Sequence, residues 1–308
     1  MKTRPLGLLV LGALASAALV TAAVAATSVF ATGMQVPETI TPTASGSFYV
    51  TDADDAGDIW GVPAAGGAAS SLAQAGYSLR GGLLLPSTFG SVGGQFLVVG
   101  EFAASTMNTA TNTVTPYHSQ EDTIWTQPVL ATSFGSLSGD VLVTNQGFVG
   151  PGSVDYFTPA GGVGRLATFP SGIVPFGAAL AGASFGEVGG VSLFVSDAVG
   201  GGIYTVDTAG TIRLFTTIPL GTGQGGLRQI AFAPKGWGKW GGNLFVSVNT
   251  RDIVVVNRDG VIIGKISGAF SPRGLLFTTI AGKPTLLFSN TAAGNILAAG
   301  PGDVVPTS

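Results

Sequence analysis

One short pattern returns along this chain: an aromatic residue, a glycine, a linker ending in glycine, then an apolar run. It reads FGSVGGQFLVV from Phe89, FGSLSGDVLVT from Phe134, FGEVGGVSLFVS from Phe185 and WGKWGGNLFVS from Trp237. GSFYVTD (Gly46–Asp52) and KPTLLFSN (Lys283–Asn290) are weaker copies at either end. The six apolar cores start at Phe48, Phe96, Val141, Leu193, Leu244 and Leu286, so the spacings are 48, 45, 52, 51 and 42 residues. A period of that size marks blade-type repeats. An apolar stretch precedes most linkers (GGLLLP, PVLATS, LRQIAFAP, RGLLFTT), and another follows each core (DIWGVP, SVDYFTP, GIYTVD, DIVVVN). A Gly-containing turn and a further strand such as TIRLFTTI or VIIGKIS usually come next. Four strands per unit and six units predict an all-β chain, a six-bladed β-propeller of four-stranded antiparallel blades. A β-sandwich followed by a second β domain would not require one period throughout.

Composition agrees. Charged residues are 9% of the 308, too few for a disordered chain, and 49 glycines with 17 prolines are too many for long helices. No run of Lys and Arg exists, so nucleic acid is not an expected partner.

MKTRP carries Lys2 and Arg4 ahead of LGLLVLGALASAALVTAAVAA, an apolar core that ends in small residues. Ala23-Val24-Ala25 fits signal-peptidase cleavage, so residues 1–26 are expected to be a signal peptide and 27–308 a single propeller domain with no membrane span. An uncleaved N-terminal anchor is the other reading, because about 20 apolar residues span a bilayer. Without Lys2 and Arg4 there are 11 basic and 16 acidic residues, a net charge of −5. The expected location is periplasmic or extracellular. There is no cysteine, which excludes disulfides, thiol nucleophiles and Cys-based metal sites.

The segments IAFAPKGWGKWGGNLFVSVN, IVVVNRDGVIIGKI and PRGLLFT resemble secreted bacterial propellers of the NHL-repeat and gluconolactonase-like superfamily, over about residues 46–300. Such propellers include lactonases, lyases and binding proteins, so the resemblance implies the fold more sharply than the activity.

Two faces differ in promise. The linker around Trp237 and Trp240 recurs with drifting charge, which reads as scaffold; a sugar-stacking loop is its alternative. The opposite face receives the ends of the second strands, where Asp52, Glu101, Asn145, Asp197, Asn249 and Asn290 stand. Oxygen donors at repeated positions suit calcium, which takes several oxygen ligands, and Glu101, Asn145, Asp197 and Asn249 form the candidate metal set. The resemblance implies a comparable Glu/Asn/Asp set around a channel metal in gluconolactonase-like enzymes. Asp and Asn at strand ends also make Asx turns, a purely structural use. Arg80, Arg228 and Arg273 open three first strands on this same face and are candidate binders of a carboxylate or phosphate.

Other motifs carry less. DADDAGD (Asp52–Asp58) partly imitates a calcium loop, but Pro63 stands where the twelfth-position Glu belongs. GTGQGG (Gly221–Gly226) precedes a strand rather than a helix, and GASFG (Gly182–Gly186) lies inside a connector. The single histidine, His118, sits in a polar stretch as a lone base or a loop residue. The function expected from sequence is a non-catalytic propeller that binds a small molecule or protein at its channel mouth. The alternative is a calcium-dependent lactonase-type hydrolase.

Overall fold

The computed structural model describes residues 27–181, 185, 191–221, 225–249, 251–268 and 270–307. The leader, most of the Phe185 linker and parts of both glycine motifs lie outside them. Strands dominate, and the helical pieces are single 3-10 turns. Among the described residues no helix is long and apolar enough to cross a membrane.

The strands form an all-β propeller, and among the described residues its sheets number five rather than six. The cause is one long strand. Val114–Leu130 pairs along Phe96–Met107 with its first part and along Val141–Asn145 with its last, which fuses the second and third units into one six-stranded sheet. The innermost strands still succeed one another around an axis. Pro37–Pro42 contacts Leu79–Leu84, which contacts Val114–Leu130; then come Pro175–Leu180, Leu227–Phe232 and Pro272–Ile280, which returns to Pro37–Pro42.

The N-terminal segment closes the ring on both sides. Pro37–Pro42 is the innermost strand of the first sheet. Ser28–Thr32 joins the last sheet, antiparallel to Asn295–Ala299. The Val305–Pro306 strand instead extends the neighbouring sheet, beside Ile262–Ser267.

The recurring linker is an anchor for packing between units. Phe89, Phe134, Phe185 and Trp237 are all buried. Trp237 packs edge-on against Phe245 and Phe277, with centroids 5.0 and 5.1 Å away. The glycine after each of Phe89, Phe134 and Trp237 is left-handed, with φ of 51, 58 and 60°. A Cβ on Gly90 would lie 1.8 Å from the Pro159 carbonyl oxygen, so an aromatic-Gly pair is what this turn accepts. The scaffold reading of the linker therefore holds, with Trp240 buried and donating its indole N–H to the Pro301 carbonyl at 3.0 Å.

A second repeated device explains the Thr or Ser late in most cores. The hydroxyls of Thr144, Ser196, Ser247 and Ser289 each donate to a carbonyl on the innermost strand of the next unit: Phe176, Arg228, Arg273 and Glu38. Ser289 makes the link across the ring closure, 2.8 Å from the Glu38 oxygen, while accepting the Gly274 N–H at 2.6 Å. Ser289→Ala leaves two buried backbone groups without partners. We expect it to lower unfolding free energy by about 2 kcal/mol in a urea titration.

Candidate functional site

Register decides which residues face the axis at the mouth. On the innermost strands, Pro37, Leu79, Trp125, Pro175, Leu227 and Pro272 pair with the ends of the second strands. The residue that follows each of these is Glu38, Arg80, Thr126, Phe176, Arg228 and Arg273. Three arginines and one glutamate thus occupy equivalent places around one channel end.

Their side chains converge. Glu38 is fully buried and accepts from Arg273 Nη1 at 2.6 Å, with Arg80 Nη1 3.6 Å away. Arg80 also donates from Nη2 to Glu101 at 2.8 Å. Arg228 lies over the Phe176 ring, 4.8 Å from its centroid, a cation–π contact. Burial holds the Glu38 carboxyl above its usual range, against the pull of Arg273, Arg80 and Arg228. Burial also pushes Arg228 down to about 10, assisted by the charge of Arg273. Glu38 Oε2 and the Nε–H groups of Arg228 and Arg273 are buried without a partner among the described residues. The mouth therefore holds hydrogen-bonding capacity of both signs that the fold does not consume.

Below the mouth, Gln229 bridges three successive innermost strands. Its amide donates to Thr39 Oγ1 at 2.7 Å and its carbonyl accepts the Leu275 N–H at 2.9 Å. Beyond this bar lies a cavity of about 390 Å³ walled by Ile40, Leu83, Val129, Leu180, Phe232 and Leu276. It carries no charged side chain, so recognition of a charged group belongs to the mouth.

The candidate metal set does not form one ring. By register the equivalents of Asp52, Asn145, Asp197 and Asn290 are Gly100 and Val248; Glu101 and Asn249 stand one residue further on. A shift of one residue turns a strand side chain to the opposite face. The outcomes differ accordingly. Asp52 accepts the N–H groups of Gln35 and Val36 at 2.9 and 2.7 Å. Asn145 accepts Ile124 N–H at 3.2 Å, Asp197 accepts Val174 N–H at 3.1 Å, and Asn290 accepts Ser271 N–H at 2.9 Å. These four side chains fasten the entry of the innermost strand. Asn249 accepts the Ser271 hydroxyl at 2.9 Å, and Glu101 alone turns to an arginine. Among the described residues no three His, Cys, Asp or Glu side chains cluster as metal ligands. In DADDAGD, Asp54 caps the N–H groups of Gly57 and Asp58 at 2.8 and 3.1 Å, which is a turn. His118 faces the Gly161 carbonyl at 3.2 Å and stacks on Phe157, on a hairpin away from the mouth.

The sequence placed Arg80, Arg228 and Arg273 on this face, and the structure brings them together. It missed Glu38. The available signal was PETITP, in which Glu38 takes the second place held by Arg in LRGG, LRQI and PRGL.

No family model and no curated protein matches the sequence. Solved structures do match the fold. A gluconolactonase from Xanthomonas campestris aligns over 91% of this chain and 89% of its own, with a TM-score of 0.66 and 14% identity. Regucalcin from Agrobacterium tumefaciens, described as a calcium-binding protein, aligns over 88% of this chain and 94% of its own, with a TM-score of 0.60 and 14% identity. A streptogramin B lyase aligns over 91% and 97%, with a TM-score of 0.56 and 13% identity. At such identity the likeness is one of fold.

Proposed function

We propose that this chain is an exported propeller that takes a carboxylate-bearing small molecule at its arginine-lined mouth. One observation carries the reading: Arg273 and Arg80 pair with a single buried glutamate and Arg228 lies close enough for its charge to act on it, three positive charges beside two negative ones, with N–H groups that have no partner among the described residues. Guanidinium groups bind carboxylates by paired, charge-assisted hydrogen bonds. Six repeat units remain our reading of the sequence period, supported by the ring of six innermost strands within five sheets.

Of the two functions expected from sequence, the lactonase-type hydrolase stands better with these structural neighbours than the non-catalytic scaffold does. Opening a lactone yields a hydroxy-carboxylate, a product such a mouth would hold. Calcium fits these residues poorly. The deepest carboxylate faces arginines, and the oxygens of Asn145 and Asp197 already accept backbone N–H groups. No step is therefore assigned to a metal.

Ligand-observed NMR with propionate and with propionamide tests the binding. The acid is expected to bind and the amide not, and Arg273→Gln to weaken the acid at least tenfold. Equal behaviour of acid and amide overturns the reading. A lactone-hydrolysis assay with calcium and then with chelator separates hydrolase from binder. Activity that survives the chelator supports a metal-free site, and activity restored only by calcium overturns our account of the ligand oxygens.

A further inference from the structure

The rim of the same mouth is apolar on one side. Of the nine large hydrophobic side chains exposed among the described residues, Phe148, Val149 and Val199 belong to the loops and turns just beyond second-strand ends, and Phe102 to the irregularity within the long strand Phe96–Met107. These ends carry Glu101, Asn145 and Asp197, so the four side chains border the mouth over three successive units. Phe102 and Phe148 meet edge to face, with centroids 5.2 Å apart, and stay 41% and 60% exposed. An aromatic pair held together yet open to water is not explained by packing among the described residues, none of which covers it.

The backbone holds this pair in place by an unusual route. Phe102 has φ of 64°, a left-handed conformation that bulky residues rarely adopt. It sits where the ladder slips between Glu101 and Ala103. Across the slip Asp122 is also left-handed, at 62°, and its carbonyl accepts the Phe148 N–H at 3.1 Å. Bulges that re-aim a side chain concentrate beside functional sites. Here the bulge places Phe102 one residue from Glu101, which pairs with Arg80.

Resting on the carboxylate reading above, we infer that the ligand is amphipathic. Its carboxylate meets Arg80, Arg228 and Arg273, and an aryl or branched alkyl group a few bonds away lies on Phe102 and Phe148. Charge complementarity fixes one end of the ligand and the exposed aromatic pair fixes the other. A purely hydrophilic sugar acid leaves the aromatic pair unused, whereas an arylalkanoate reaches both.

The probes are propionate, 3-phenylpropionate and 3-phenylpropionamide, titrated against the chain by NMR and calorimetry. We expect the phenyl group to tighten binding about tenfold or more, in line with one aromatic contact plus its buried area. Phe148→Ser with Phe102→Asn should reduce that advantage to less than threefold while leaving propionate unchanged. Asn tolerates the left-handed conformation, and both sites are exposed, so the variant should fold. Equal affinity of propionate and 3-phenylpropionate overturns this inference and leaves the carboxylate reading standing. So does an advantage that persists in the double variant. Equal affinity of 3-phenylpropionate and its amide overturns the carboxylate reading itself.

Discussion

A chain that starts at residue 34, lacking Ser28–Thr32, is expected to lose about 4 kcal/mol of stability and to self-associate. The missing strand pairs Ser28 with Ala298, Val29 with Leu297 and Ala31 with Ile296. Ala31 is buried, and Phe30 packs edge-on against Phe48 at 5.7 Å, so the strand also ties the last sheet to the first. Burial of roughly 150 Å² of apolar surface accounts for about 4 kcal/mol before any backbone hydrogen bond is counted. Its loss uncovers the apolar edge Asn295–Ala299, and a bare strand edge recruits other chains. Urea unfolding against the chain starting at residue 27, together with light scattering, checks both parts. Unchanged stability and a monomeric shorter chain would mean that closure rests on Pro37–Pro42 alone. Ala31→Asp puts a charge into the same seam and should act in the same direction without altering length.

Much of this architecture was legible because the repeat is written in residues with narrow structural use. The aromatic-Gly pair requires a left-handed turn and a buried ring, and three of its copies adopt the same turn. The closing strands were harder. SVFAT and PETITP are short and lack the linker, so only ring topology gives them a place. The merging of two units was not legible at all. Nothing in TVTPYHSQEDTIWTQPVL announces that one strand will serve two neighbours, and its bulges emerge only from pairing. The six oxygen donors divide for a reason of register. Glu101 and Asn249 look equivalent to Asp197 in a sequence comparison, but Gly100 and Val248 hold the matching places. A difference of one residue is small in sequence and decisive in a strand. The arginines were visible because each follows Leu or Pro at the start of an apolar strand. Glu38 was not sought there, because acidic residues seldom lie fully buried.

Arg273→Met should cost about 3 kcal/mol at neutral pH, the lower end of what breaking a buried ion pair costs. Glu38 is buried completely, and Arg273 at 2.6 Å is its nearest cation and the strongest of the charges that lower its pKa. Without Arg273, Arg80 remains at 3.6 Å and the Glu38 carboxyl rises further above its ordinary 4.5. The sign with pH follows. Below 4.5 the carboxyl is neutral in the folded and the unfolded chain alike, and the deficit is small. Above 4.5 the unfolded chain ionises first, while the folded one keeps its proton until a higher pH. Stability of the variant therefore falls as pH rises through that window, more steeply than in the parent. Glu38→Gln removes the buried charge and should flatten the slope. Combined with Arg273→Met, it should recover most of the loss, because the uncompensated carboxylate is gone. The four proteins form a double-mutant cycle, read by denaturant unfolding at pH 4 and pH 7. A coupling below about 0.5 kcal/mol at pH 7 would mean that Arg273 and Glu38 share a location without sharing energy. A large coupling that fades by pH 4 would identify Glu38 as the charge that holds this guanidinium at the mouth.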